Sequence, residues 1–207
     1  MKYKKLHKEF YLQSCLKAAR ELIGKVLVRK KGMKVYSGII VETEAYRGSK
    51  DAASHTYRGK TNRNKFMFSE GGVGYVYFTY GNHYCFNVVM EGENIAHAVL
   101  IRAIEPIEGI NYMMKNRGTE NIYNLASGPG KLTEAFEIDL KLNGANLLKD
   151  ELFVSYPIKD NKYKIAKSKR IGITKNADKL YRFYAAGNPF VSRINVNRVL
   201  KKNDNNR

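Results

Sequence analysis

The run KVLVRKKGMKVYSGIIVETEAY, residues 25–46, limits the fold more than any other stretch. Two extended segments rich in Val, Ile and Tyr flank a Lys-Gly turn, the pattern of an antiparallel hairpin with strands over 25–30 and 35–46. YVYFTY and HYCFNVVM form a second hairpin around Gly81-Asn82, and HAVLIRAI at 97–104 adds a further strand. Helical spacing is confined to other places. LQSCLKAARELIG over 12–24 repeats apolar groups at Leu12, Leu16, Ala19, Leu22 and Ile23 before a glycine stop. PIEGINYMMKNRG over 106–118 and residues 131–142 also read as helical. LFVSYPI is a strand, KDNKYKIAKSKRIGITK is a basic loop leading into another, and YRFYAAGNPFVS closes the fold. No repeat or linker divides the chain, and strands do not alternate regularly with helices. An α+β single domain with a largely antiparallel sheet follows.

Charge narrows the partners. Among 207 residues, 37 Lys+Arg face 19 Asp+Glu, a net +18, which makes a polyanion the leading partner and an anionic membrane surface the rival. Two cysteines, Cys15 and Cys85, make no disulfide framework, and with four histidines they show no zinc spacing, so no metal is expected. MKYKKLHKEF lacks the apolar run of a signal peptide and no 18-residue apolar window exists, which points to the bacterial cytosol. KKNDNNR, residues 201–207, is expected to fray as a basic tail.

Four stretches could carry chemistry. In SGIIVETEAY, strand alternation puts Ile40, Glu42, Glu44 and Tyr46 on one face and Ile39, Val41, Thr43 and Ala45 on the other. Two carboxylates beside an aromatic ring are either a solvent-facing side or a site. In the second hairpin a two-residue Gly81-Asn82 turn would leave Tyr80 and His83 flanking the loop. Tyr80 is then either part of a local aromatic cluster or a rigid wedge able to enter a base stack. Arg102 is the one charge in HAVLIRAI, and a half-buried arginine needs an acidic or carbonyl partner. SGPGK before a helix is either an ordinary capped turn or an anion contact with Lys131, and it lacks the full nucleotide-loop pattern, so no nucleotide cofactor is expected.

Taken together, LIGKVLVRK, IVETEAYRGSKDAASHTYRGKTNRNKFMF, GYVYFTYGNHYCFNVV, AVLIRAIEPIEG, SGPGKLTEAF and RFYAAGNPFVS resemble, in order, the alkyladenine (3-methyladenine) DNA glycosylase family. VETEAY with His55 nine residues after Tyr46, then YVYxxYG, then LIRAxEP, is a specific combination. The resemblance implies one glycosylase domain over residues 1–200, built on a curved sheet flanked by helices, with a protruding hairpin that inserts into DNA. It implies a monofunctional enzyme without cofactor. This enzyme flips alkylated or deaminated purines such as 3-methyladenine or hypoxanthine out of double-stranded DNA and hydrolyses the N-glycosidic bond. By resemblance, Glu44 activates the attacking water and Arg102 helps hold it. Tyr46, His55 and Tyr77 wall the extruded base, Asn87 forms the pocket floor, Tyr80 fills the gap in the duplex, and Lys131 meets phosphate. Asn82 stands where some relatives carry a bulky apolar residue, so Tyr80 is the dominant wedge.

One conflict remains inside the sequence. A Gly-Asn loop pairs Tyr77 with Phe86 and sends Tyr77 and Asn87 to opposite faces, so a β-bulge or wider loop is expected between 77 and 87. A monomer is the default, and no membrane contact is expected. The rival to an enzyme is a non-catalytic protein that grips distorted DNA or RNA with the same basic surface and aromatics.

Overall fold

The structure, a computed structural model, describes residues 3–158 and 162–192. The tail expected at 201–207, and the end of the expected 1–200 domain, lie outside these residues.

The first hairpin forms as its alternation requires. β1 (Val26–Lys31) and β2 (Lys34–Arg47) pair antiparallel from Val26↔Ile39 to Lys31↔Lys34. Gly32, at φ +56°, makes the turn in a region that a side chain disfavours. β2 is the spine of the sheet. One edge pairs with β5 (His97–Glu108) along almost its whole length, from Ser37↔Glu108 to Arg47↔His97. Its other edge changes neighbour, pairing with β1 up to Ile39 and then with β8 (Arg182–Ala185) at Glu42–Glu44.

The change of neighbour coincides with breaks in register at Ser37/Gly38 and between Ile40 and Thr43, and such breaks bend a strand. Gly38 permits the close approach there, since a Cβ at that position would lie 2.2 Å from Ile104 Cδ1. β5 runs past its expected end at 104 to Glu108, because Pro106 falls at this irregularity. The helix expected from 106 therefore starts only at Ile110, as α3 (Ile110–Arg117).

β3 (Gly74–Thr79) and β4 (His83–Met90) extend the sheet beyond β5, and β6 (Leu152–Ser155) closes the far edge against β1. Among the described residues, β7 (Ile165–Ser168) pairs only with β8. All eight strands among the described residues are antiparallel to their neighbours, which makes the expected α+β fold on a curved antiparallel sheet.

The helix expected over 12–24 forms only as α2 (Cys15–Glu21), and an unexpected short helix, α1 (Lys8–Leu12), precedes it across extended backbone at Gln13 and Ser14. The cause is tertiary. The Glu91 carboxylate accepts from the Cys15 amide at 2.7 Å, while the Glu91 amide donates to the Tyr11 carbonyl at 2.7 Å, and both bonds hold the break open. α2 covers one face of β2: Ala18, Ala19 and Leu22 pack in the main core with Val41 and Ala45, and Thr43 donates to the Ala19 carbonyl at 2.7 Å. α4 (Pro129–Ala135) ends well before residue 142, and Leu140–Leu142 form a separate 3-10 turn. With one face of β2 taken up by α2, the face carrying Glu42, Glu44 and Tyr46 is left for a site.

Candidate active site

Glu42 and Glu44 are both fully buried, which excludes the solvent-facing reading of that strand face. They have different surroundings. Glu42 accepts from Arg102 Nε at 2.8 Å, Arg182 Nε at 2.7 Å, the Ser192 amide at 2.8 Å and Ser192 Oγ at 2.8 Å. Burial pushes its carboxyl up, but Arg102, Arg182 and Ser192 outweigh burial and hold it below the ordinary carboxylate range. Four donors saturate Glu42, leaving it little capacity to bind anything else.

Glu44 has lighter company. Its Oε2 accepts from the Tyr46 hydroxyl at 2.9 Å, and its Oε1 accepts from the Ile171 amide at 2.7 Å with Arg102 Nη1 3.3 Å away. Arg102 thus finds the acidic partner its position demanded, twice over. Burial works against its charge, and Glu44 and Glu42 more than compensate, keeping its pKa above the ordinary value.

Beside Glu44 lies a cavity of about 190 Å³. Tyr46, Arg102 and Ile171, the three groups that touch Glu44, all line it, together with His55, Tyr77 and Asn87. Tyr80, largely exposed, lines it too, so six residues singled out from the sequence share one cavity, with Glu44 directly behind its wall. Asn82 stands exposed at the tip of the turn, and Lys131, half-buried on α4, donates to Asn124 Oδ1; neither lines the cavity.

The hairpin resolves the conflict of faces by a wider loop, not a bulge. Thr79 pairs with His83, Tyr77 with Cys85 and Tyr75 with Asn87, so the loop holds three residues, Tyr80, Gly81 and Asn82. The expected Gly-Asn turn and the Tyr77–Phe86 pair are thereby corrected. Tyr80 sits inside the turn at φ +52°, followed by Gly81 at φ +73°, and the Asn82 amide donates to the Thr79 carbonyl at 3.3 Å. One added loop residue shifts register by one and turns Tyr75, Tyr77, Cys85 and Asn87 to the same face. A non-glycine residue in the left-handed region carries strain, and Tyr80 accepts it while remaining 78% exposed.

Apart from Arg102, the walls are aromatic and apolar or neutral. His55 packs edge-on to Tyr77 at 4.4 Å between centroids, and its Nδ1 lies 3.0 Å from the Tyr75 hydroxyl. Desolvation against these rings, and then the Arg63 charge, hold the His55 pKa below its ordinary value, so the imidazole is neutral at pH 7. Burial pushes Tyr75 up to about 12, and burial followed by Cys85 pushes Tyr77 up further. Burial and then the Glu44 charge raise Tyr46 well above the ordinary phenol, so its hydroxyl stays a donor to Glu44. The Arg63 guanidinium lies 5.6 Å from the Tyr77 ring centroid and donates to the Phe78 carbonyl at 3.0 Å, bracing the hairpin from outside. Where β4 borders the cavity, Asn87 Nδ2 donates to the Tyr75 carbonyl at 3.1 Å, which fixes the amide plane.

Sequence reasoning missed Tyr75 and Cys85, which the three-residue register places two positions from Tyr77 and Asn87. It also missed segment 170–173, read as a basic loop. Ile171, Gly172 and Ile173 line the cavity, and Ile171 acts through its backbone amide, for which no side chain gives a signal.

Among the described residues, no group of three or more His, Cys, Asp or Glu could hold a metal ion. No helix among them is long and apolar enough to cross a membrane.

A family model described as methylpurine-DNA glycosylase matches residues 9–189. A provisionally named 3-methyladenine DNA glycosylase of Chlorobium phaeobacteroides strain BS1 is 48% identical over 189 residues, covering 91% of this chain and 95% of its own. Provisionally named 3-methyladenine DNA glycosylases of Prosthecochloris aestuarii and Francisella tularensis are 48% and 49% identical. The first covers 90% of this chain and 90% of its own, the second 85% and 92%.

Proposed function

Because the chain belongs to the methylpurine-DNA glycosylase family, we propose that it removes alkylated or deaminated purines, of the 3-methyladenine and hypoxanthine kind, from double-stranded DNA by hydrolysing the N-glycosidic bond. One observation carries the reading: a fully buried carboxylate, Glu44, sits behind the wall of an aromatic cavity, held by a hydroxyl, an amide and a guanidinium.

The chemistry follows from these parts. A purine inside the duplex is out of reach, so the nucleotide swings out at a cost of a few kcal/mol, less for a damaged base. Tyr80, on a turn that holds it in the open, fills the space left behind. The base enters between Tyr77, His55 and Tyr46. A cationic alkylpurine gains from electron-rich rings, and a neutral His55 adds no repulsion. Asn87 faces the base edge with an amide already fixed in orientation.

Glu44 takes a proton from a water that Arg102 helps to hold, and the water attacks C1′ as the base departs with the bonding electrons. The carboxylate also offsets positive charge developing on the sugar. An alkylated, cationic purine leaves without a proton. Hypoxanthine needs one, and a His55 held neutral is a poor source, which favours solvent. No lysine lines the cavity among the described residues, so no amine stands ready to form a Schiff base with the sugar, and the product is an intact abasic site. Lys131 and Asn82 contact the DNA backbone beside the lesion, and a single copy of the chain suffices for the reaction.

The test is direct. The protein is incubated with a duplex bearing one inosine, and abasic sites are cleaved with hot alkali. A break at the inosine only after alkali is expected. Binding without any break would make the protein a grip on distorted DNA, and a break without alkali would make it a lyase.

A further inference from the structure

Two irregular segments wall the cavity, the stretch after β2 that carries His55 and the stretch after β7 that carries Ile171. One buried ion pair joins them. Arg170 Nη1 donates to Asp51 Oδ2 at 2.5 Å and Nη2 donates to Asp51 Oδ1 at 2.9 Å, and both side chains are fully buried. Asp51 lies four residues before His55 and also accepts from the amides of Arg47 and Ala53, at 3.3 and 3.2 Å, so it shapes the chain that delivers His55. Arg170 lies one residue before Ile171 and donates from Nη1 to the Ala45 carbonyl at 2.9 Å, between Glu44 and Tyr46. Its guanidinium also lies 4.6 Å from the Tyr46 ring centroid.

We propose that Arg170, through Asp51, is a positioning residue for Glu44. It sets the Ile171 amide against Oε1, stiffens Tyr46 against Oε2, and so decides which lone pairs of the carboxylate remain for the reacting water. The physical case rests on geometry. A guanidinium is a planar fork that meets both carboxylate oxygens and a carbonyl at once, whereas a lysine ammonium is a single point of charge that cannot reproduce the fork. Burial of the pair excludes water that would otherwise let the segment drift. Burial pushes the Asp51 carboxyl up, and Arg170 more than offsets this, so the pair stays ionised at neutral pH. In enzymes generally, misplacing a reacting group by about one ångström lowers a rate by about two orders of magnitude.

The inference rests on the proposed function, and two readouts keep the two apart. Hydrogen exchange of the Ile171 amide, followed by NMR in the full chain, reads the clamp without any reaction. Single-turnover release of hypoxanthine from an inosine duplex, with affinity for a duplex bearing a non-cleavable abasic analogue measured alongside, reads its consequence. In Arg170→Lys and in Asp51→Asn, exchange at Ile171 should rise at least tenfold relative to Leu27 in β1. Release should slow about a hundredfold, with affinity changed less than threefold. Arg170→Lys keeps the charge in the core and provides the folded variant if Asp51→Asn unfolds. An Ile171 amide as protected as in the parent, or unchanged release, overturns the proposal. If the parent itself releases no purine, the proposed function fails and the positioning role fails with it, while the exchange result still shows whether the ion pair holds the segment.

Discussion

The surroundings of Glu42 and of Glu44 make the most instructive comparison in the molecule. Both carboxylates lie on β2, two residues apart, on one face and at zero exposure. Glu42 is enclosed by the C-terminal part of the chain, with Arg182 from β8 and Ser192 beyond it, and it collects four hydrogen bonds. Glu44 borders the cavity and is held by one hydroxyl, one amide and a more distant guanidinium. Burial alone does not distinguish a structural acid from a reactive one. Glu44, the reactive one under the proposed function, keeps unspent acceptor capacity beside the cavity. Arg102 belongs to both regions, so Glu42 also serves the site by fixing the arginine that faces Glu44.

The largest effect that would sharpen this contrast is on folding. Glu42→Gln leaves the Arg102 and Arg182 guanidiniums without their shared charge, and it should cost about 3 kcal/mol in a urea titration. Equal stability of this variant and the parent would remove Glu42 from its structural role. A related prediction concerns pH. Glu42 and Asp51 both have folded pKa values below their unfolded ones, so their contribution is complete above about pH 5 and is lost as pH falls through the lowered values. The urea midpoint of the parent should drop steeply from pH 5 to pH 3, and that of Glu42→Gln should drop less. Parallel curves would mean that Glu42 does not contribute to the acid lability.

Smaller effects are expected at the periphery of the cavity. Tyr80→Ser should lower the fluorescence change of a flipped base analogue by about tenfold in equilibrium constant, in line with a stacking contribution near 1.4 kcal/mol, and should leave the urea midpoint in place. No change in fluorescence would return Tyr80 to a local cluster with His83, whose ring centroid lies 6.0 Å away. The smallest effect per residue belongs to the exposed lysines at 162, 164, 167 and 169, on and around β7. Changing them to Gln should make the slope of log K against log salt shallower by about 0.9 for each one that meets a phosphate. An unaltered slope places them away from DNA.

Much of this was legible in the sequence, for identifiable reasons. The two hairpins were readable because a strand's alternation and a local turn are recorded in adjacent residues. Helix α2 was readable too, but its start at Cys15 and the helix α1 before it were not, since the break between them is held by Glu91, far along the chain. Tyr77 and Asn87 posed a geometrical contradiction under a two-residue turn, which called for a β-bulge or a wider loop without deciding between them; the left-handed Tyr80 that supplies the wider loop could not be read from residue type. Arg102 announced its need of an acidic or carbonyl partner, and the acid is what it found. The resemblance pointed to Glu44 over Glu42, but the physical difference between them was invisible, because the deciding donors come from residues 171, 182 and 192.

The most direct test of the account compares Glu44→Gln with the parent under single-turnover conditions on an inosine duplex, with binding to the same duplex measured in parallel. The account predicts excision slower by about a thousandfold or more, with affinity close to that of the parent. Excision within a few fold of the parent would contradict it, and would require the water to be activated elsewhere.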